Sequence, residues 1–247
     1  MDTQDSIGDT ARRLAQLAPR DNSVEAWGLR FVLADAIEAQ GRVEDALQFL
    51  ESHPAPDAAA TESWATLKMY QGSYTGYLGR YSISYRLFDV AEAIARNADL
   101  LFLLGDVHLA RAFVLFRQKE HAASECQYRC VLELSEKVDG WHLRGHGLWG
   151  IGKNLMIQRQ YREALGWLDS SLAIFEEFAY PVMIATVWSE LGLCHLALGD
   201  DVKAMELLRK AERLDLECGS RHNYQVVLAD IGNVYLHRRE YLTAVDY

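Results

Sequence analysis

A chain of 247 residues that is 50% hydrophobic and 11% aromatic, with only four prolines, has enough apolar surface to pack helices along its whole length. Acidic residues outnumber basic ones by 35 to 25, a net charge of −10, which argues against a surface built for nucleic acid or an anionic membrane and favours a basic or apolar partner. No apolar run approaches the roughly 18 to 20 residues that cross a bilayer. The opening MDTQDSIGDT lacks the basic and apolar segments of a signal peptide, and four scattered cysteines fit a reducing compartment, so a cytoplasmic protein is expected.

Taken in chain order, residues 1–5 are expected to form a frayed tail. Ile7, Ala11, Leu14 and Leu17 are spaced for one helix that ends near Ala18-Pro19, giving a tail and capping helix over 1–26. Asn22-Ser23 is a helix start, with Trp27, Phe31, Ala34 and Ile37 facing inward, and Gly41 breaks this helix before Val43 to Leu50. His53-Pro54-Ala55-Pro56-Asp57 separates a first helix pair (27–53) from a tyrosine-rich second one (63–96) and is the place where any bend or hinge of the array is expected. The third pair spans 100–137 and begins with LLFLLGDVHLARAFVLF, the most apolar helix of the chain. Val138-Asp139-Gly140 turns into the fourth (145–177), and Tyr180-Pro181 opens the fifth (182–217), since proline suits a first helical turn. A sixth pair (224–247) has room for only about eight residues of its second helix, from near Glu240, with no polar capping helix after it. The sequence is therefore expected to be a piece of a longer protein.

Several motifs invite specific chemistry. Gly145-His-Gly147-Leu-Trp-Gly150 matches GxGxxG, but the dinucleotide form follows a strand, whereas Val131 to Lys137 is helical in pattern. A helix start loosened by glycine, in close contact with the preceding helix, is expected instead. Cys126 and Cys130, with His142 and His146, are i, i+4 pairs on neighbouring helices and so a formal zinc set. Cysteines inside helices are more often small hydrophobes, so no metal is expected. His121 stands in register with Tyr81, Tyr161 and Tyr241, which marks it as structural. No HExxH, GxSxG, Walker A or paired-acid arrangement occurs, so neither catalytic residues nor a cofactor are expected.

The dominant signal is internal repetition. Ala34, Gly72, Ala112, Gly152, Gly192 and Gly232 recur at spacings of 38, 40, 40, 40 and 40, and twelve residues after each stands Ala46, Ser84, Ser124, Ala164, Ala204 or Ala244. A small residue on each of two amphipathic helices lets their backbones approach where they cross. A pair that cannot bury its apolar face alone must stack on the next.

These units resemble tetratricopeptide repeats. Trp188-x2-Leu191-Gly192-x2-His195 with Ala204, Leu208 and Ala211 carries the resemblance best. Ile231-Gly232-x2-Tyr235 with Tyr241 and Ala244, and Gly79-Arg80-Tyr81 with Ser84, Phe88 and Ala91, add to it. The period exceeds the family's usual 34 and is similar to the longer variety in bacterial regulators and adaptor proteins. The resemblance implies an all-α, right-handed superhelical solenoid of about six helix-turn-helix repeats over 27–247. It also implies a concave groove, lined by first helices, that holds a protein or peptide partner.

Transferred unit by unit, the groove positions are Met69 and Tyr77; Phe113, Phe116 and Arg117; Trp149, Lys153 and Met156; Leu193 and Leu196; and Asn233, Leu236 and His237. This largely apolar lining suits an amphipathic helix or apolar peptide, the alternative being that the same side chains are simply buried. Lys153 and Asn233 alone do not make the Lys and Asn ladder of members that clasp a C-terminal carboxylate. The expected function is an interaction scaffold within a larger multidomain regulator. Self-association, or service as the regulatory arm of an enzyme whose catalytic domain follows Tyr247, are the alternatives.

Overall fold

A computed structural model of the protein describes residues 3–17, 20–245 and 247, with residues 3–6, 221 and 222 described through the backbone alone. Apolar residues at helical spacing, broken at regular intervals by short polar turns, become thirteen helices among the described residues, with no strand. In order these are α1 (Thr3–Gln16), α2 (Val24–Glu38), α3 (Val43–Glu51), α4 (Thr61–Tyr77), α5 (Tyr81–Asn97), α6 (Leu101–Arg117), α7 (His121–Val138), α8 (Trp141–Ile157), α9 (Tyr161–Glu177), α10 (Pro181–Ala197), α11 (Asp201–Cys218), α12 (Arg221–His237) and α13 (Tyr241–Ala244). After α1 they form consecutive helix-turn-helix pairs. The chain divides into two compact units, one up to Gln127 and one from Tyr128, with the division inside α7.

The turns are built to one plan. From Gly79 onward a left-handed residue recurs every twenty positions, at Gly79, Asp99, Lys119, Asp139, Arg159, Ala179, Gly199, Gly219 and Arg239. The amide after each one donates to the carbonyl five residues back: Arg80 to Thr75, Leu100 to Ala95, Tyr180 to Phe175, Ser220 to Asp215. This is the Schellman closure, which satisfies carbonyls left over at a helix end. Helix starts are plainer. Ser23 and Asp200 cap α2 and α11 by accepting from the amides of Ala26 and Lys203, while the starts of α4, α5, α6, α8, α9, α10, α12 and α13 have no side-chain cap.

The paired small residues are crossing points. A Cβ on Gly72 would stand 2.8 Å from the Phe88 ring, one on Gly152 2.9 Å from Leu168, and one on Gly192 2.9 Å from Leu208. Where the second small residue is serine, its hydroxyl adds a bond. Ser84 Oγ donates to the Gly72 carbonyl at 2.6 Å and Ser124 Oγ to the Ala112 carbonyl at 2.9 Å, the same twelve-residue link in two pairs.

In the unit up to Gln127, Trp27, Ala34, Ala46, Leu47 and Leu50 bury with Leu67 and Tyr74, and Phe88 and Ala91 bury with Val107 and Val114. In the unit from Tyr128, Ala185, Ala204, Leu208 and Ala211 bury with Val227, Ile231 and Val234.

Several expectations need adjustment. Helix α1 begins at Thr3, so residues 3–5 are helical rather than a frayed tail, while residues 1–2 and the end near Ala18-Pro19 lie outside the described residues. The fourth pair begins at Trp141, four residues before 145. Gly145, Gly147 and Gly150 therefore lie in the interior of α8 and not at a helix start. Phe175, Leu132 and Tyr128 occupy the space their side chains would take. The proline-rich stretch is tied to the start of α2 by the Asp57 amide donating to the Asn22 carbonyl at 3.0 Å. Helix α13 has four residues rather than about eight.

Candidate functional site

In the unit from Tyr128, α10 packs against both α8 and α12. Positions i, i+3, i+4 and i+7 of a helix share one face. Three such faces line a cavity of about 400 Å³: Lys153, Met156 and Ile157 from α8; Thr186, Ser189, Glu190 and Leu193 from α10; Asn223, Val226, Val227 and Asp230 from α12. Asp215 of α11 completes the lining. Methionine, leucine, isoleucine and valine side chains thus surround a cluster of polar groups, the usual composition of a recognition site.

The polar groups are acidic in balance, with three carboxylates and one ammonium among the described lining residues. Lys153 Nζ lies 3.3 Å from Glu190 Oε1 and 4.7 Å from the centre of the Trp149 ring, so one carboxylate and one π-face hold the ammonium. Burial pushes the Glu190 carboxyl above the usual range, opposed by Lys153 and by the Trp149 indole. Burial also raises Asp230, opposed by the Ser189 hydroxyl, which donates to Asp230 Oδ2 at 2.8 Å. Asp215 is only 1% exposed, and neither carboxylate oxygen accepts a hydrogen bond from a described residue at ordinary geometry. Burial pushes it up to about 6, with the Asn223 amide offsetting part of the rise. Cys194 of α10 is buried, and burial pushes its thiol up to about 12, which disfavours the thiolate.

The unit up to Gln127 has its own cavity of about 400 Å³, between α4 and the start of α6, lined in part by Glu62, Thr66, Met69, Tyr70, Phe102 and Asp106. Tyr70 donates its hydroxyl to Asp35 Oδ2 at 2.8 Å, and burial pushes Asp106 up to about 7.

The expected groove residues distribute unevenly. Lys153, Met156 and Leu193 come together in the first cavity, and Met69 lines the second. Tyr77 lies under the Arg117 guanidinium at 5.2 Å, and Phe116 meets His121 edge-on at 5.2 Å. Phe113 is half-buried. Trp149 is buried at 5% exposure, on the side of simple burial, and supports Lys153 from below. Leu196 packs against the Ala204 and Leu208 cluster. Asn233 and Leu236 are exposed and outside the cavity, and His237 Nδ1 faces Asp201 Oδ1 at 3.0 Å.

Sequence reasoning missed the carboxylates, although a signal existed. Glu190 and Asp230 occupy the same repeat position, just before Leu191-Gly192 and Ile231-Gly232, where the fourth pair has Gly150. Asp215 stands where earlier pairs have Ala95, Ser135 and Phe175, all buried. An acid at a position that is otherwise small or apolar marks a departure from packing alone.

Of the formal zinc set, Cys126 is exposed and Cys130 half-buried, while the His142 and His146 rings are 4.5 Å apart. Among the described residues no three potential ligands cluster, and no helix is long and apolar enough to cross a membrane.

No family model matches the chain, and no curated protein matches it in sequence. Solved structures do resemble it. A signal transduction ATPase with numerous domains from Pyrococcus horikoshii, which has a tetratricopeptide repeat sensor, is similar with a TM-score of 0.72 at 13% identity; 92% of this chain covers 34% of that one. A Rap protein complexed with competence and sporulation factor is similar with a TM-score of 0.64 at 17% identity, over 98% of this chain and 74% of that one. BtubC from P. vanneervenii follows with a TM-score of 0.60 at 17% identity, over 88% and 93%. The fold is that of a tetratricopeptide-type helical repeat.

Proposed function

We propose that the chain is a protein-interaction array of the long-period tetratricopeptide kind, and that it binds a peptide or helix of a partner protein at the cavity between α8, α10 and α12. The single observation that carries this reading is the cavity itself, in which Met156, Ile157, Leu193 and Val226 surround buried polar groups on first-helix faces. The Rap protein, complexed with competence and sporulation factor, and the repeat sensor of the ATPase support it by likeness of fold. By the same likeness the array serves inside a larger regulator and contributes binding rather than catalysis.

The test is selection from a randomised displayed peptide library against the purified chain, with Met156→Asp as counter-target and circular dichroism to verify its fold. Enriched peptides that bind the native chain and not the variant support the reading. No enrichment, or binders indifferent to Met156→Asp, would sink it.

A second reading, self-association, is favoured by the exposure of Tyr241, Leu242 and Val245 around α13, with Leu242 90% exposed. Sedimentation across a wide concentration range decides it. A constant monomer mass removes this alternative.

A further inference from the structure

The cavity is not the purely apolar groove that its first-helix register suggests, and its charge has a direction. Glu190 already shares its charge with Lys153, and Asp230 takes one bond from Ser189. Asp215 is held less firmly: it is 1% exposed and lines the cavity, the Asn223 amide stands beside it, and neither oxygen accepts a hydrogen bond of ordinary geometry from a described residue. A buried carboxylate with unmet acceptors is costly unless something supplies donors and positive charge. Around it, Met156, Leu193 and Val227 offer an aliphatic wall. Long basic side chains have this pairing of an apolar stem and a cationic head.

We infer that the cavity between α8, α10 and α12 is a specificity pocket for a basic side chain of the bound peptide, with an arginine stem against Met156, Leu193 and Val227 and its guanidinium toward Asp215 and Asp230. This rests on the peptide-binding reading above. Arginine fits better than lysine because the acceptors come from two different helices, and a planar head with five donors serves several acceptors at once. Among the described lining residues Lys153 is the one cation, and Glu190 and Trp149 hold it, which leaves Asp215 and Asp230 without one of their own.

The inference is tested by methyl NMR of the whole chain at neutral pH, following Met156, Leu193, Val226 and Val227 while four probes are titrated in turn. The probes are N-acetyl-arginine amide, N-acetyl-norleucine amide, N-acetyl-glutamate amide and agmatine. The arginine probe is expected to shift these methyls saturably and to bind roughly tenfold or more tightly than norleucine, the effect of one charge-assisted contact. Asp215→Asn and, independently, the half-buried Asp230→Asn each remove that preference, and Asp230→Lys turns it toward glutamate.

Norleucine binding as tightly as arginine would overturn the basic pocket while leaving peptide binding intact. Agmatine binding as tightly as the arginine probe would assign the pocket to a free amine instead of a peptide. Silence from all four probes, where a library-selected peptide still binds, would overturn the pocket and not the array. Silence together with failed selection would remove both.

Discussion

Asp215 concentrates the tension between stability and binding in one side chain. Its ordinary value is 3.8 and burial moves it up to about 6, so between those values the folded chain holds a proton that the unfolded chain has released. That contribution to stability is greatest below pH 4, declines as pH rises toward 6, and is gone above it. Asp215→Asn is therefore expected to stabilise the chain by about 1–2 kcal/mol at pH 8 and to leave it nearly unchanged at pH 3. Urea unfolding at the two pH values checks the difference. A variant that gains stability while losing the arginine preference would show that the acid is retained for binding. No local periodicity announces such a residue. It becomes visible only when the repeats are aligned and an aspartate is found where Ala95, Ser135 and Phe175 stand in other pairs.

At the scale of the element, helix faces and crossing points were legible throughout, and helix ends only where residues such as Ser23, Gly41 and Pro181 mark them. The Gly or Ala positions 34, 72, 112, 152, 192 and 232 are all buried, and 72, 152 and 192 sit at close approaches, as their spacing implies. The other helix ends escape because the left-handed turn residue is glycine at only three of the nine positions twenty apart and is Asp, Lys, Arg or Ala elsewhere. The usual serine or aspartate start signal is likewise missing from most helices. A left-handed alanine is strained, so Ala179→Gly is expected to raise stability by about 1 kcal/mol, read as a higher thermal midpoint. The opposite outcome is expected inside α8. A Cβ on Gly150 would fall 2.2 Å from Cε1 of Tyr128, which is itself 1% exposed. Gly150→Ala therefore costs about 1–3 kcal/mol in urea unfolding, even though alanine is the better helix former by about 1 kcal/mol.

At the scale of the molecule, a repeat of about forty residues made an all-helical array legible, because stacked pairs leave that signature and few other folds do. The proposed binding site was legible only in part. Lys153, Met156 and Leu193 were reached by register, since first-helix faces repeat. Glu190, Asp215 and Asp230 were not, because a site is made by departures from the repeat and register reports only what is common. The central claim is that partner binding resides in the cavity between α8, α10 and α12. Its most direct test is the equilibrium affinity of one library-selected peptide for the native chain, for Leu193→Asp inside the cavity and for Val202→Asp, an exposed position on α11 outside it. A loss of roughly a hundredfold or more is expected for Leu193→Asp, and an unchanged affinity for Val202→Asp. Equal affinities for all three would contradict that claim.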